Sequence, residues 1–326
     1  MRPPRFWQAG TQALLPRMFA PLEPLTAALT ARRLARPGWM APVPVICVGN
    51  VTSGGAGKTT VALDLGARIC ARGLALHFLS RGYGGHRRST TRVTADATAA
   101  EVGDEPRLLA AVAPTWVGAD RGASARAAIA AGANVLLMDD GLQNASLHQT
   151  FSLLVIDGRS GFGNLRLLPA GPLREPIGTA ARRCHAAVLI GPDRHDALSA
   201  LPQALPILRA ELAPGPRTID LAGQNVLAVA GIADPTKFFA TLRAAGANPL
   251  ACISLADHHP YRESEWRALL LRAERSSLSV VTTEKDAARL PDHVRAQVTV
   301  ADVFLQWSDP DALEAVLDHA LQLRKP

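Results

Sequence analysis

The chain has 326 residues, 48% of them apolar and 19% charged, with 35 Lys and Arg against 28 Asp and Glu. That length exceeds one minimal domain and fits two of ordinary size, and the apolar share excludes disordered and fibrous classes. The formal charge of +7 favours anionic partners, while 5% aromatic residues and no RNA- or DNA-binding motif argue against nucleic acid.

The first elements lie in residues 1–36, where Phe6, Trp7, Leu14, Leu15, Met18, Phe19, Leu22, Leu25 and Leu29 alternate with Arg2, Arg5, Arg17, Arg32, Arg33 and Arg36. Only Glu23 opposes this charge. No stretch reaches the ~18 apolar residues of a membrane span, and the segment lacks the compact apolar core and cleavage site of a secretory signal. It reads as an interfacial amphipathic helix that lies on a membrane.

Pro37, Pro42 and Pro44 close this segment, and the β-branched run 45–48 ends at Gly49 as a buried strand. A glycine-rich stretch follows. Val61, Ala62, Leu65 and Ile69 then recur at helical spacing over 58–72, with Gly73 as the stop. Runs at 76–79, 135–138, 153–156 and 187–190 are continuously apolar, the pattern of parallel strands covered on both faces. The Ala-rich segment 120–131, with Asp120 at its N-cap, reads as a crossover helix.

Proline accumulates over 202–216, and a second strand-then-helix pattern starts at 226–230 and 235–245, with further strands at 279–283 and 298–304. The boundary is placed near residue 220, giving domains 37–220 and 221–326. The expected fold is therefore α/β: a P-loop NTPase-like, mostly parallel sheet domain with a second, smaller α/β domain and the N-terminal interfacial helix. Cys47, Cys70, Cys184 and Cys252 show no C-x-x-C spacing, which fits a reducing cytosol; Cys47 and Cys252 sit in apolar runs and read as buried.

The chemistry is concentrated first in Gly49-Asn50-Val51-Thr52-Ser53-Gly54-Gly55-Ala56-Gly57-Lys58-Thr59-Thr60, between the first strand and the first long helix. Glycines let backbone N–H groups turn inward around phosphate oxygens; Lys58 can reach the β- and γ-phosphates, and the Thr59 hydroxyl can ligate Mg²⁺. Residues 52–60 are thus the candidate ATP cradle, although Thr52 stands where the strict G-x-x-x-x-G-K-S/T pattern has its first glycine. A P-loop also needs a carboxylate at the end of a neighbouring strand, and Asp139 and Asp140, directly after the run 135–138, supply it.

In this order, the chain resembles the tetraacyldisaccharide 4'-kinase family, which phosphorylates the lipid A disaccharide precursor of Gram-negative bacteria. The resemblance runs nearly end to end. It rests on Val48-Gly49-Asn50 leading into Gly54-Gly55-Ala56-Gly57-Lys58-Thr59, on Ser80-Arg81-Gly82-Tyr83-Gly84-Gly85, and on Val102-Gly103-Asp104-Glu105-Pro106. It continues through Asp139-Asp140-Gly141-Leu142-Gln143, Leu168-Pro169-Ala170-Gly171-Pro172-Leu173-Arg174-Glu175-Pro176, Asp257-His258-His259 and Thr282-Thr283-Glu284-Lys285-Asp286. Thr60 stands where the family commonly has Pro, and Asn144 where it commonly has His.

The resemblance implies ATP and Mg²⁺ meeting a lipid A disaccharide 1-phosphate in a cleft between two domains. It implies Lys58 on the phosphates, Thr59, Asp139 and Asp140 around the metal, and Asp104 as proton acceptor with His258 as its partner. Arg81, Tyr83, Arg174 and Glu175 become cleft residues that bind lipid phosphate, sugar or nucleotide. Residues 1–36, with their basic and apolar side chains, are expected to attach the protein peripherally to the anionic cytoplasmic face of the inner membrane, and no obligate protein partner is expected.

The rival from another class is a regulatory P-loop NTPase of the dimeric switch or metallochaperone type. Such proteins usually carry Lys before the paired glycines, where this chain has Ser53, and a guanine-reading N/T-K-x-D segment is absent.

Overall fold

The structure is a computed structural model that describes residues 4–10, 14–87 and 89–323. The chain runs through β1 (Val45–Gly49), β2 (Leu76–Ser80), β3 (Thr91–Arg92), β4 (Thr115–Val117), β5 (Val135–Asp139), β6 (Phe151–Asp157), β7 (Ala186–Ile190) and β8 (Ile207–Pro214). It continues through β9 (Asn225–Ala230), β10 (Asn248–Ser254), β11 (Ser279–Thr283), β12 (Thr299–Ala301) and β13 (Val303–Trp307).

A nine-stranded sheet has the order β13-β8-β7-β6-β1-β5-β2-β4-β3. Its antiparallel pairs, β13 with β8 and β3 with β4, lie at the two edges, and the interior pairs are parallel. Strands β1, β2, β5, β6 and β7 are buried along their whole length, as their continuous apolar runs require, and separate apolar clusters cover the two sheet faces. Helix Lys58–Ala71 leaves β1 and turns Val61, Ala62, Leu65 and Ile69 into one of those clusters. Helix Arg121–Ala130 connects β4 to β5, and the Asp120 carboxylate caps it by accepting from the amides of Gly122 and Ala123.

A parallel four-stranded sheet, β10-β9-β11-β12, forms the second lobe. The chain enters it at Asn225 and leaves after Ala301, then returns to the first lobe: β13 pairs with β8, and helix Pro310–Gln322 packs Leu313, Leu317 and Ala320 into the P-loop helix's cluster. The stretch 298–304, expected as one strand, is therefore two strands in two sheets. They break at Asp302, whose carboxylate accepts from the Thr218 amide and Arg217 Nε. Cys252, expected to be buried, is exposed because β10 is an edge strand with one face open to water.

The N-terminal segment forms short pieces instead of one helix: 3₁₀ turns at Arg5–Trp7 and Ala20–Leu22 and α-helices at Leu14–Phe19 and Glu23–Leu34. Residues 1–3 and 11–13, Arg2 among them, lie outside the described residues. The segment is fastened to the loop that carries Arg174. Thr26 Oγ1 donates to Leu168 O at 2.6 Å, Trp7 Nε1 donates to Pro169 O at 3.2 Å, and Arg166 pairs with Glu23 at 2.7 Å. Its outer face keeps Leu14, Met18, Leu25 and Leu29 more than half exposed.

Candidate functional site

The first component sits where β1 ends and helix Lys58–Ala71 begins. Gly57 holds φ +84°, left-handed backbone that favours glycine, and a Cβ there would lie 2.6 Å from Ile190 Cδ1. Two independent constraints thus place a glycine immediately before Lys58. Asn50 holds the loop from below: its Nδ2 donates to Thr52 Oγ1 at 2.9 Å, and its Oδ1 accepts from Lys58 Nζ at 3.2 Å. Lys58 Nζ also lies 3.8 Å from Asp140 Oδ1. Gly54 and Gly55 are exposed, Ala56 is buried, and Thr60 is half-buried in the helix. The Ser53 amide donates to Pro172 O at 2.7 Å, so this one amide of the loop is engaged by the protein itself.

Asp139 and Asp140 take different positions. Asp139, at the end of β5, is 1% exposed, and its Oδ2 accepts from Thr59 Oγ1 at 3.1 Å. Its Oδ1 has no hydrogen-bond partner among the described residues. Burial, and then the neighbouring Glu105 carboxylate, pushes the Asp139 carboxyl up to about 7. A buried carboxylate in this state costs several kcal/mol unless a cation or further donors compensate it. Asp140 turns away at φ +55°, and both of its oxygens accept from Arg174 Nη1, at 2.9 and 3.0 Å. Among the described residues no three His, Cys, Asp or Glu side chains form a metal cage. The donor set fits Mg²⁺ of the P-loop kind: one hydroxyl, one buried carboxylate oxygen in need of a positive partner, and phosphate oxygens for the remainder.

Asp104 opens helix Asp104–Ala110 and is buried, facing the second lobe. Its Oδ2 lies 3.1 Å from His258 Nδ1 and accepts from Arg289 Nε at 3.2 Å, and its Oδ1 accepts from the Glu105 amide at 3.1 Å. Burial works against its charge, but His258, Arg289 and Lys285 outweigh burial and hold the carboxyl at about 2. The hydrogen bond to Asp104 raises His258 above the usual imidazole value, against the opposing effect of burial. The contact joins the two lobes, between residues far apart in sequence, and each partner favours the charged form of the other. His258 reaches it from a left-handed backbone position, φ +56°.

Of the other cleft residues named from sequence, Tyr83 is exposed with its ring edge-on to His258, centroids 5.5 Å apart. Arg81 follows β2 and is exposed. Arg174 is half-buried and held by Asp140. Glu175 differs from its expected place. Its side chain is 1% exposed, with Gln143 Nε2 and Arg183 Nη2 each donating to Oε1 at 2.9 Å and Arg183 Nη1 pairing with Oε2 at 2.9 Å. It lies behind the cleft wall, where it fixes the loop that carries Arg174. Asn144 is likewise a turn residue, its Oδ1 accepting from the Ser146 amide and hydroxyl.

Four residues complete the cleft without having been singled out. Lys285 Nζ pairs with Glu105 Oε1 at 2.6 Å, a second bridge between the lobes. Arg289 binds Asp104 and Asp286 and donates to Gly231 O at 3.2 Å. Arg121 is buried, donates through Nη1 to Gly118 O, and leaves Nε without a partner among the described residues. Burial pulls its guanidinium down to about 10, with Asp140 opposing this and Arg81 adding to it. Glu105 and Lys285 lie inside motifs already visible in the sequence; Arg121 follows the visible helix cap Asp120. Arg289 carried no sequence signal.

The model of the family LpxK, tetraacyldisaccharide-1-P 4'-kinase, matches residues 15–322. A tetraacyldisaccharide 4'-kinase of Gluconacetobacter diazotrophicus is 55% identical over 319 residues, covering 98% of each chain. One of Rhodospirillum centenum is 50% identical over 324 residues, covering 97% of this chain and 96% of its own. The crystal structure of "apo" form LpxK from Aquifex aeolicus in complex with ATP superposes with a TM-score of 0.76 at 24% identity, covering 94% of this chain and 100% of that one, and shares the fold. With a family model spanning nearly the whole chain and relatives at half identity or better, this chain belongs to the tetraacyldisaccharide-1-P 4'-kinase family.

Proposed function

We propose that this protein transfers the γ-phosphate of ATP to the 4'-hydroxyl of tetraacyldisaccharide 1-phosphate, giving lipid IVA in lipid A biosynthesis. Family membership supports the reaction, and one observation carries the site: Glu105, next to Asp104 of the Asp104–His258 pair, also lies in the field of Lys58 of the P-loop, which places the two groups near one another. Lys58 and the loop amides that no described residue engages hold the phosphates. Thr59 and Asp139 would hold Mg²⁺, which neutralises charge on the phosphate oxygens as the phosphoryl group moves. Arg81, Tyr83 and Arg174 hold sugar or phosphate, and Glu175 positions Arg174.

The bond from the γ-phosphorus to ADP breaks, a bond to the sugar oxygen forms, and the hydroxyl proton passes to Asp104. A carboxyl held near 2 is a weak base. In a loose transition state, however, the hydroxyl becomes strongly acidic only as its oxygen bonds to phosphorus, so a weak, well-placed acceptor suffices. His258 holds that acceptor and shares its charge.

A regulatory NTPase would hydrolyse ATP readily without lipid. The kinase reading expects low ATP turnover alone and a marked rise when the disaccharide 1-phosphate is added in detergent. Robust turnover that ignores the lipid would contradict it.

The N-terminal segment supports a second part of the proposal, peripheral binding at the cytoplasmic face of the inner membrane. No helix among the described residues is long and apolar enough to cross a membrane. Leu14, Leu15, Met18, Leu22, Leu25 and Leu29 are exposed, with Arg17, Arg32 and Arg33 on the same short helices. Each basic residue near an anionic surface is worth about 1 kcal/mol, and each leucine entering the interface adds up to about 1.5–3 kcal/mol. Leu25→Glu with Leu29→Glu should therefore weaken binding to vesicles containing anionic lipid by at least about tenfold. Equal sedimentation of variant and wild type would sink the membrane reading.

A further inference from the structure

The acceptor side of the cleft is fixed by Asp104, whose helix packs against β2 and β4. Transfer of a phosphoryl group is roughly in line, so the leaving ADP must extend away from the acceptor. From the P-loop strand β1, the acceptor lies towards β5, β2 and β4; the opposite direction leads to β6 and β7.

Two walls bound the P-loop on that opposite side. The first is the end of β7, where Ile190 would meet a Cβ on Gly57 at 2.6 Å, and Ile190 is the register partner of Asp157 at the end of β6. The second comes from the other lobe, where Ala233 Cβ lies 3.7 Å from the Cβ position of Gly55. Shortly after Ala233, in the first turn of helix Pro235–Ala244, Lys237 crosses between the walls and binds Asp157 Oδ2 at 2.5 Å. The backbone beside Gly54 and Gly191 is open: apart from their chain neighbours, no heavy atom of the described residues lies within 4 Å of either Cβ position. Among the described residues the remaining partners of the Asp157 carboxylate are the Arg159 amide on Oδ1 at 3.1 Å and the Ser160 hydroxyl on Oδ2 at 3.2 Å. A carboxylate accepts about four hydrogen bonds, so capacity for another donor remains.

We propose that Asp157 and Lys237 bind the nucleoside end of ATP, Asp157 accepting from a ribose hydroxyl and Lys237 closing the second lobe over it. The inference rests on the phosphotransfer reading above, and assigns the ion pair a role in nucleotide affinity separate from the P-loop.

The test uses two probes on the full chain by calorimetry: ADP, which carries a nucleoside, and inorganic triphosphate, which does not. Asp157→Ala and Lys237→Ala should each weaken ADP binding by about tenfold or more, the usual loss for a hydrogen bond to a charged group, and leave inorganic triphosphate binding unchanged. The KM for ATP should rise by the same factor while kcat at saturation holds, and Lys237→Arg should keep wild-type ADP affinity. Unchanged ADP affinity, or equal losses for both probes, would overturn the proposal. Wild type that bound neither probe would remove the nucleotide reading along with it. The ADP-selective loss in a protein that fails to phosphorylate the lipid would leave the nucleoside site standing and remove the lipid reading.

Discussion

Lys58→Ala is expected to lower phosphoryl transfer by at least about 10²- to 10³-fold, the usual loss when one preorganised donor to a developing charge is removed. The ammonium sits at the N-terminus of helix Lys58–Ala71, within reach of Asn50 Oδ1 and Asp140 Oδ1. It packs against neither sheet face, whose clusters draw on Val61, Ala62, Leu65 and Ile69 from that helix. Fold and charge therefore separate cleanly at this position. The variant should keep its far-ultraviolet circular dichroism and melt near the wild type, while single-turnover transfer from ATP all but disappears. Turnover within a few-fold of wild type would remove the P-loop from the mechanism.

Asp104→Asn should lower kcat by about 10²- to 10⁴-fold, the range of general base assistance, with ADP affinity nearly unchanged. The substitution preserves shape but removes the charge that His258 and Arg289 face, so melting curves must accompany the rates. His258→Ala should cost less, because it leaves the carboxylate in place and still bound by Arg289. Groups that act as a unit are strongly non-additive, so the double variant should lose little more than Asp104→Asn alone. Losses that multiply would show independent roles, and a near-normal kcat in Asp104→Asn would move the proton to another acceptor.

Much of the first lobe was legible because its physics is local. A strand buried on both faces must be apolar throughout, and the runs at 45–48, 76–79, 135–138, 153–156 and 187–190 all lie within strands of the large sheet. The helix over 58–72 and the Asp120 cap were equally plain, since periodicity and capping act within a few residues. The second lobe was less legible at its end. The break at Asp302 depends on Arg217 and Thr218, distant partners that leave no mark on the local apolar pattern.

The site divides in the same way. The P-loop and the acidic pair at the end of β5 follow from spacing alone, whereas the pairing of Asp104 with His258 came from resemblance and is a contact between lobes. Glu175 shows the limit of that resemblance. A motif reveals that a carboxylate is needed, but only packing reveals that Gln143 and Arg183 enclose it behind the cleft wall. Arg289 escaped because a lone arginine in a short helical region carries no pattern, although in three dimensions it holds Asp104 and Asp286 together.

The most direct test of the central claim is to incubate the purified protein with Mg-ATP and tetraacyldisaccharide 1-phosphate in detergent and locate any new phosphate by phosphorus–proton correlation NMR. The expected product is a bisphosphorylated lipid whose second phosphorus correlates with the proton on C4' of the distal sugar. An unchanged lipid beside consumed ATP, or a phosphate at any other position, would contradict it.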